Sequence, residues 1–166
     1  MSHPVEAIDA PALRKILDEH RQWLESSGQQ GQQADLSAIR IEGFDFGGLE
    51  LSEVHFDGSE LPKCRFADCD LSSASFGRTQ APGADFSGAT LVKAELYAGD
   101  FSGARFDDAN LTRTEIIKSK LAGSTFARAN LRAATVSECD LEGASFEGAD
   151  LTSASFDGST GSGVPR

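Results

Sequence analysis

The side chains able to act as nucleophiles, metal ligands or acid–base groups include Cys64, Cys69 and Cys139, His3, His20 and His55, and many acids. Their spacing does not assemble a reaction. No CxxC or cysteine–histidine metal pattern occurs, no glycine-rich phosphate loop is present, and no histidine lies at a promising distance from one of the many serines and threonines. The expectation is therefore no catalytic residue, no metal ligand and no cofactor. What remains is surface recognition. The candidate partner-binding residues are Tyr97 and Ile117, twenty residues apart, with Val92 nearby, the like-charged pair Glu95 and Glu115, and the bases Lys118 and Lys120. Two carboxylates side by side repel, and such a pair gains from a basic partner or a cation.

Those residues are positioned by an apolar rhythm of five that runs from Ala34 to Gly158. From Leu36, every fifth residue is Leu, Phe, Ile or Val, with Ala81 as the one small exception. Two places earlier the later units carry a small residue, as at Ala74, Ala84, Ala94 and Gly99, and the three cysteines occupy this same place as packing groups. A period of five fits neither the 3.6 of a helix nor the alternation of a flat strand, so the internal repeat has to be read first.

The identity of the apolar residue reveals a longer period. Phe46, Phe66, Phe86, Phe106, Phe126 and Phe146 form one pure column at a step of twenty, and Leu51, Leu71, Leu91, Leu111, Leu131 and Leu151 form another. Four five-residue units thus make one coil, and like stacks on like. The unit appears as Ala-Asp-Phe-Ser-Gly at 84–88, Ala-Asn-Leu-Thr-Arg at 109–113 and Ala-Asp-Leu-Thr-Ser at 149–153. With 25 tandem units over 125 residues, the chain resembles the pentapeptide-repeat proteins. The resemblance implies an all-β solenoid, a right-handed quadrilateral β-helix of roughly six coils with the Leu/Phe and small residues inside. At about 4.8 Å per coil the rod is about 30 Å long.

Residues 1–33 read as a helix cap and linker, 34–158 as the β-helix and 159–166 as a flexible tail. Asp9 suits an N-cap, Pro11 falls in the first turn, and Leu13, Ile16, Leu17, His20, Trp23 and Leu24 share one face of a helix over 9–26. Bulky Ile39, Phe44, Leu49 and Val54 take the usually small place in the first coil, as expected if an N-terminal capping α-helix folds onto it. At 77–83, Ala81 underfills the core and Pro82 lacks a donor, which predicts a loosened or bulged side. No helix follows the last unit, so an end-to-end homodimer through the C-terminal coil is expected.

The formal charge of -11 lies mostly on the repeats, which hold 21 acids and 11 bases. Asp45, Arg65, Asp85 and Arg105 alternate in one column, while Arg113, Lys118, Lys120, Arg128 and Arg132 form a basic belt between two acidic zones. Such a surface repels nucleic acid and suits a protein partner. The start Met-Ser-His-Pro-Val-Glu has no basic apolar leader and no run is long enough to span a membrane, so the expected place is the cytoplasm. The family resemblance also implies a specific role, that of a DNA mimic binding DNA gyrase or topoisomerase IV and altering resistance to topoisomerase poisons. Duplex DNA carries about one charge per 1.7 Å, or about 18 over this rod, against 10 net here. The alternative is a scaffold, adaptor or bacterial effector with an unrelated protein partner.

Overall fold

A computed structural model describes residues 5–166; His3 lies outside the described residues. Each five-residue unit bends the chain by one turn. The carbonyl of the inward Leu or Phe accepts from the N–H three residues on, as in Leu49 to Phe46 (3.0 Å) and Ala74 to Leu71 (3.0 Å). The residue two places after the inward one is left-handed throughout, from Ala38 (φ 54°) to Gly158 (φ 71°), which marks type II turns. Glycine fills many of these places, but Glu53, Lys63, Arg78 and Arg113 occupy others.

Four such turns return the chain over itself. Parallel bridges join residue i to i+20 on each side, for example Asp45↔Arg65, Glu50↔Asp70, His55↔Ser75 and Glu60↔Gln80. The result is a β-helix solenoid. Each side is so short that most pairing is one residue long, and only β3 (Glu95–Tyr97), β4 (Glu115–Ile117) and β5 (Thr135–Ser137) widen into a three-stranded parallel sheet. Asp or Asn before the inward residue has a local task, since its side-chain oxygen accepts the N–H two residues on at Asp45, Asp70, Asp85, Asn110 and Asp150.

The interior follows the columns. Phe46, Phe66, Phe86, Phe106 and Phe126 are fully buried, and the rings from Phe46 to Phe146 stack at 4.7–5.0 Å with planes within 5° of parallel. Leu51, Leu71, Leu91, Leu111 and Leu131 are buried beside them. The small inward residues also donate hydrogen bonds where they can. The Cys69 thiol reaches the Phe46 carbonyl (2.8 Å), Thr79 the Phe56 carbonyl (2.8 Å) and Thr114 the Leu91 carbonyl (2.6 Å), each one coil back.

The expected loosening at 77–83 is corrected. Gln80↔Asp100 pairs normally, Ala81 N–H donates to Asp100 at 2.8 Å and Gly83 N–H to Ser102 at 2.8 Å. Pro82 occupies the second turn position, whose N–H takes no part in the backbone ladder on this side of the coil, where Pro62 stands one coil back, so its missing donor costs nothing there. The space left by Ala81 is taken by Phe101 of the next coil, whose ring lies 6.3 Å from Phe76 and 6.2 Å from Phe86, the neighbours of Ala81 in its own coil. Gly99 makes the room, because a Cβ there would strike the Phe101 ring.

At the N-terminal end, β1 (Glu6–Ala7) pairs in parallel with β2 (Ile39–Arg40), and α1 (Ala10–Glu25) follows with Asp9 as its N-cap, accepting from Ala12 N–H at 2.8 Å. Leu13 is buried in the core, and Ile8, Ile16, Leu17, Ile39 and Phe44 pack against it. His20 is fully buried and its Nδ1 accepts the Ala34 N–H at 3.1 Å, tying α1 to the start of the first coil.

The C-terminal end differs from a flexible tail. Thr160 pairs with Asp140, Ser162 bonds to the Glu142 carboxylate, Gly163 N–H donates to Leu141 (3.0 Å) and Val164 packs against the core. This segment continues the coil along one side only, so Phe146, Leu151 and Phe156 stay half-buried.

Candidate functional site

The widened sheet brings the candidate residues together. Glu95 pairs with Glu115, Leu96 with Ile116 and Tyr97 with Ile117, and the next coil adds Thr135, Val136 and Ser137. Leu96, Ile116 and Val136 face inward and are fully buried, which turns the residues on either side of them outward. The turn N–H here takes another route: Gly99 N–H donates to Ser119 Oγ (3.1 Å) and Cys139 N–H to Ser159 Oγ (3.1 Å). Those hydroxyls in turn donate to the Leu96 carbonyl (2.9 Å) and the Val136 carbonyl (2.7 Å), so the sheet is braced from inside.

On the outer side, Tyr97 is 49% exposed, Ile117 is half-buried, and Glu95 and Glu115 are exposed. Neither glutamate makes an ion pair among the described residues, whereas the surrounding coils carry pairs such as Arg65–Asp45 (3.2 Å), Arg65–Asp85 (3.6 Å) and Arg128–Asp108 (2.7 Å). Lys118 reaches Glu138 at 3.8 Å, while Lys120 stands in register with Asp100 and Asp140 on the following side without an ion pair. Val92 is half-buried in the turn that precedes β3, at the margin of the face rather than in it. The alternating column holds in part, since Arg105 turns to Asp107 (3.6 Å) instead of Asp85.

The three cysteines are sealed inside. Burial pushes the Cys64 and Cys69 thiols up to about 11, and raises Cys139 as well. Among the described residues, no group of three or more His, Cys, Asp or Glu is gathered closely enough to hold a metal ion, and no helix is long and apolar enough to cross a membrane. The face therefore offers an aromatic ring, a branched apolar side chain and two unpaired carboxylates on a rigid support. Those groups are suited to gripping another protein.

A concavity not anticipated from the residues lies elsewhere, between α1 and the first coil, with a volume of about 380 Å³. Leu17, Leu49 and Leu51 are among its lining residues. The bulk of Leu49 at a small place was the available signal, and what it did not reveal is that Leu49 stays 38% exposed while Val54, one unit on, is buried.

The family pattern described as Pentapeptide repeats matches the chain in 8 copies, over residues 50–88, 69–108, 89–128 and 124–160. Among solved structures, the chain is similar to HetL, a pentapeptide repeat protein involved in heterocyst differentiation regulation from the cyanobacterium Nostoc sp. strain PCC 7120. Identity is 18%, the match covers 92% of this chain and 94% of that one, and the TM-score is 0.57. A pentapeptide repeat protein from the Arabidopsis thaliana thylakoid lumen is 30% identical over 65% of this chain and 68% of its own, with a TM-score of 0.48. A trypsin-treated form of QnrB1, a plasmid-mediated fluoroquinolone resistance protein, is 17% identical over 78% and 75% of the two chains, with a TM-score of 0.49. No curated protein sequence matches the chain.

Proposed function

Because this chain belongs to the pentapeptide-repeat family, we propose that it works without catalysis, as a protein-binding module whose contact surface is the outer face of β3, β4 and β5. The observation that carries this reading is Tyr97, 49% exposed, in register with Ile117 and flanked by the unpaired Glu95 and Glu115. An aromatic anchor on a braced sheet loses little entropy on binding. The partner expected is a protein with an apolar recess edged by Lys or Arg, in the cytoplasm. The coil is taken as right-handed, as the family likeness implies.

The test is quantitative capture from the native host with wild-type protein and with Tyr97→Asp as baits. The reading expects a host protein recovered by the wild type and reduced at least tenfold by the variant. Equal recovery by both would refute it.

A second reading, DNA mimicry toward DNA gyrase or topoisomerase IV, draws support from the acidic margin formed by Asp68, Asp70, Asp107, Asp108 and Glu147. Arg128 interrupts that margin with a two-pronged bond to Asp108. A gyrase supercoiling assay with and without a quinolone decides it, since no effect at micromolar protein together with no gyrase co-purification removes the mimic. We further propose that two copies pair end to end through the half-covered C-terminal coil.

A further inference from the structure

We propose that the uncovered edge of the first coil beside α1 is a second, separate docking site, taking an extended peptide of alternating apolar and basic residues that adds to the coil as a β-strand. The cap covers the first coil unevenly. On one side β1 pairs with Ile39 and Arg40, on the next Gln33 Nε2 donates to the Glu53 carbonyl (2.8 Å), and His20 Nδ1 takes the Ala34 N–H. Along residues 45–50 no backbone of the described residues pairs with the outer edge of the coil, and α1 only walls the concavity beside it. The N–H groups of Asp45 and Glu50 find no acceptor among the described residues, although their counterparts one coil on, Arg65 and Asp70, donate to Phe44 (3.1 Å) and Leu49 (3.0 Å). The carbonyls of Gly47 and Glu50 likewise lack the donors that Ala67 and Asp70 receive from Gly48 (3.0 Å) and Leu51 (2.7 Å). Asp45 lies on the preceding side, beyond the turn at Gly48, whereas on the Glu50 side both the N–H and the C=O of Glu50 stand open, and an unpaired parallel edge of that kind is a template for one more strand.

The side-chain chemistry beside that edge specifies the occupant. Leu49 is exposed over a groove that Leu17 and Leu51 help to line, so alternate residues of an added strand meet an apolar surface. The rim holds Asp18, Glu25 and Glu50 against Arg21 alone, and Arg21 is already engaged with Asp18 (3.8 Å) and Glu25 (3.4 Å). The unbalanced carboxylates call for Lys or Arg at the intervening positions. A second copy of this chain fits badly, because the open strand it could supply is its C-terminal coil, and residues 136–158 carry six acids and no base.

The experiment uses the whole protein and the N-acetylated hexapeptide Lys-Val-Lys-Val-Lys-Val as probe, followed by fluorescence anisotropy and by amide hydrogen exchange. The proposal expects saturable binding, weakened at least tenfold by Leu49→Asp and by N-methylating alternate peptide amides. It also expects none with the Glu-Val counterpart and no change in Tyr97→Asp, which separates this site from the β3–β5 face. In the wild type, exchange at the Glu50 amide should slow at least tenfold when peptide is added, a readout independent of whether the variant folds. Absence of saturable binding, equal binding of the N-methylated peptide, or unchanged exchange at the Glu50 amide overturns it.

Discussion

The fully buried His20 ring serves the protein as a neutral acceptor. Its Nδ1 holds the Ala34 N–H, its Nε2 has no hydrogen-bond partner, and burial lowers its pKa below 6.5, against smaller opposing effects of the Ser52 backbone and Glu53. In the unfolded chain the same ring titrates near 6.5, so below that pH the unfolded state takes up a proton that the folded state resists. The contribution of neutral His20 is thus complete above pH 6.5 and is lost as pH falls from 6.5 toward the lower folded value. Urea midpoints measured from pH 7.5 to 5.0 should fall more steeply for the wild type than for His20→Gln, and parallel curves would contradict the role. The cysteines tell a similar story at this scale. Their place in the repeat gave away that they pack inside, but not that Cys64, Cys69 and Cys139 donate to the carbonyls of Ile41, Phe46 and Ile116 one coil back. That bond depends on the 20-residue stacking and has no local sequence signal.

Within the coil, column position proved more informative than residue type. The pure Phe and Leu columns could be read directly from the sequence because a step of twenty sets identical side chains one above another, and the Phe rings stack in parallel at that spacing. The unit at 77–83 misled because Ala81 was weighed alone, while the relevant volume includes Phe101 above it. The coil tolerates a small residue below a large one. Replacing Ala81 with Leu to match its column should therefore destabilise the protein by about 1–3 kcal/mol through overpacking. Adding Phe101→Leu should recover most of that loss in the double variant. Denaturation in urea checks it, and a stabilised Ala81→Leu single variant would show that Phe101 does not fill the space.

Over the whole molecule, the two ends differ while the middle repeats, and the ends were the least legible part. Where α1 lands is fixed by packing of Leu13, His20 and Ile16 across a linker, a non-local event that leaves the backbone edge along residues 45–50 unpaired among the described residues. The tail was misjudged for a related reason, as Ser162 and Val164 carry no repeat pattern yet find Glu142 and the core across the last turn. That tail covers one side of the end, and the N–H groups of Phe146, Leu151 and Phe156 have no acceptor among the described residues. Leu151→Glu should therefore abolish the end-to-end dimer, and sedimentation equilibrium at high concentration would read it as a shift to monomer. A wild type that is already monomeric there would contradict the pairing. Between the ends, the cohesion of the rod lies inside, which leaves its outer side chains free for recognition. The most direct test is amide hydrogen exchange on the protein alone and bound to the host protein it captures. The account predicts slowed exchange at residues 95–98 and 115–118 in the complex, and slowing confined to any other side of the rod would contradict it.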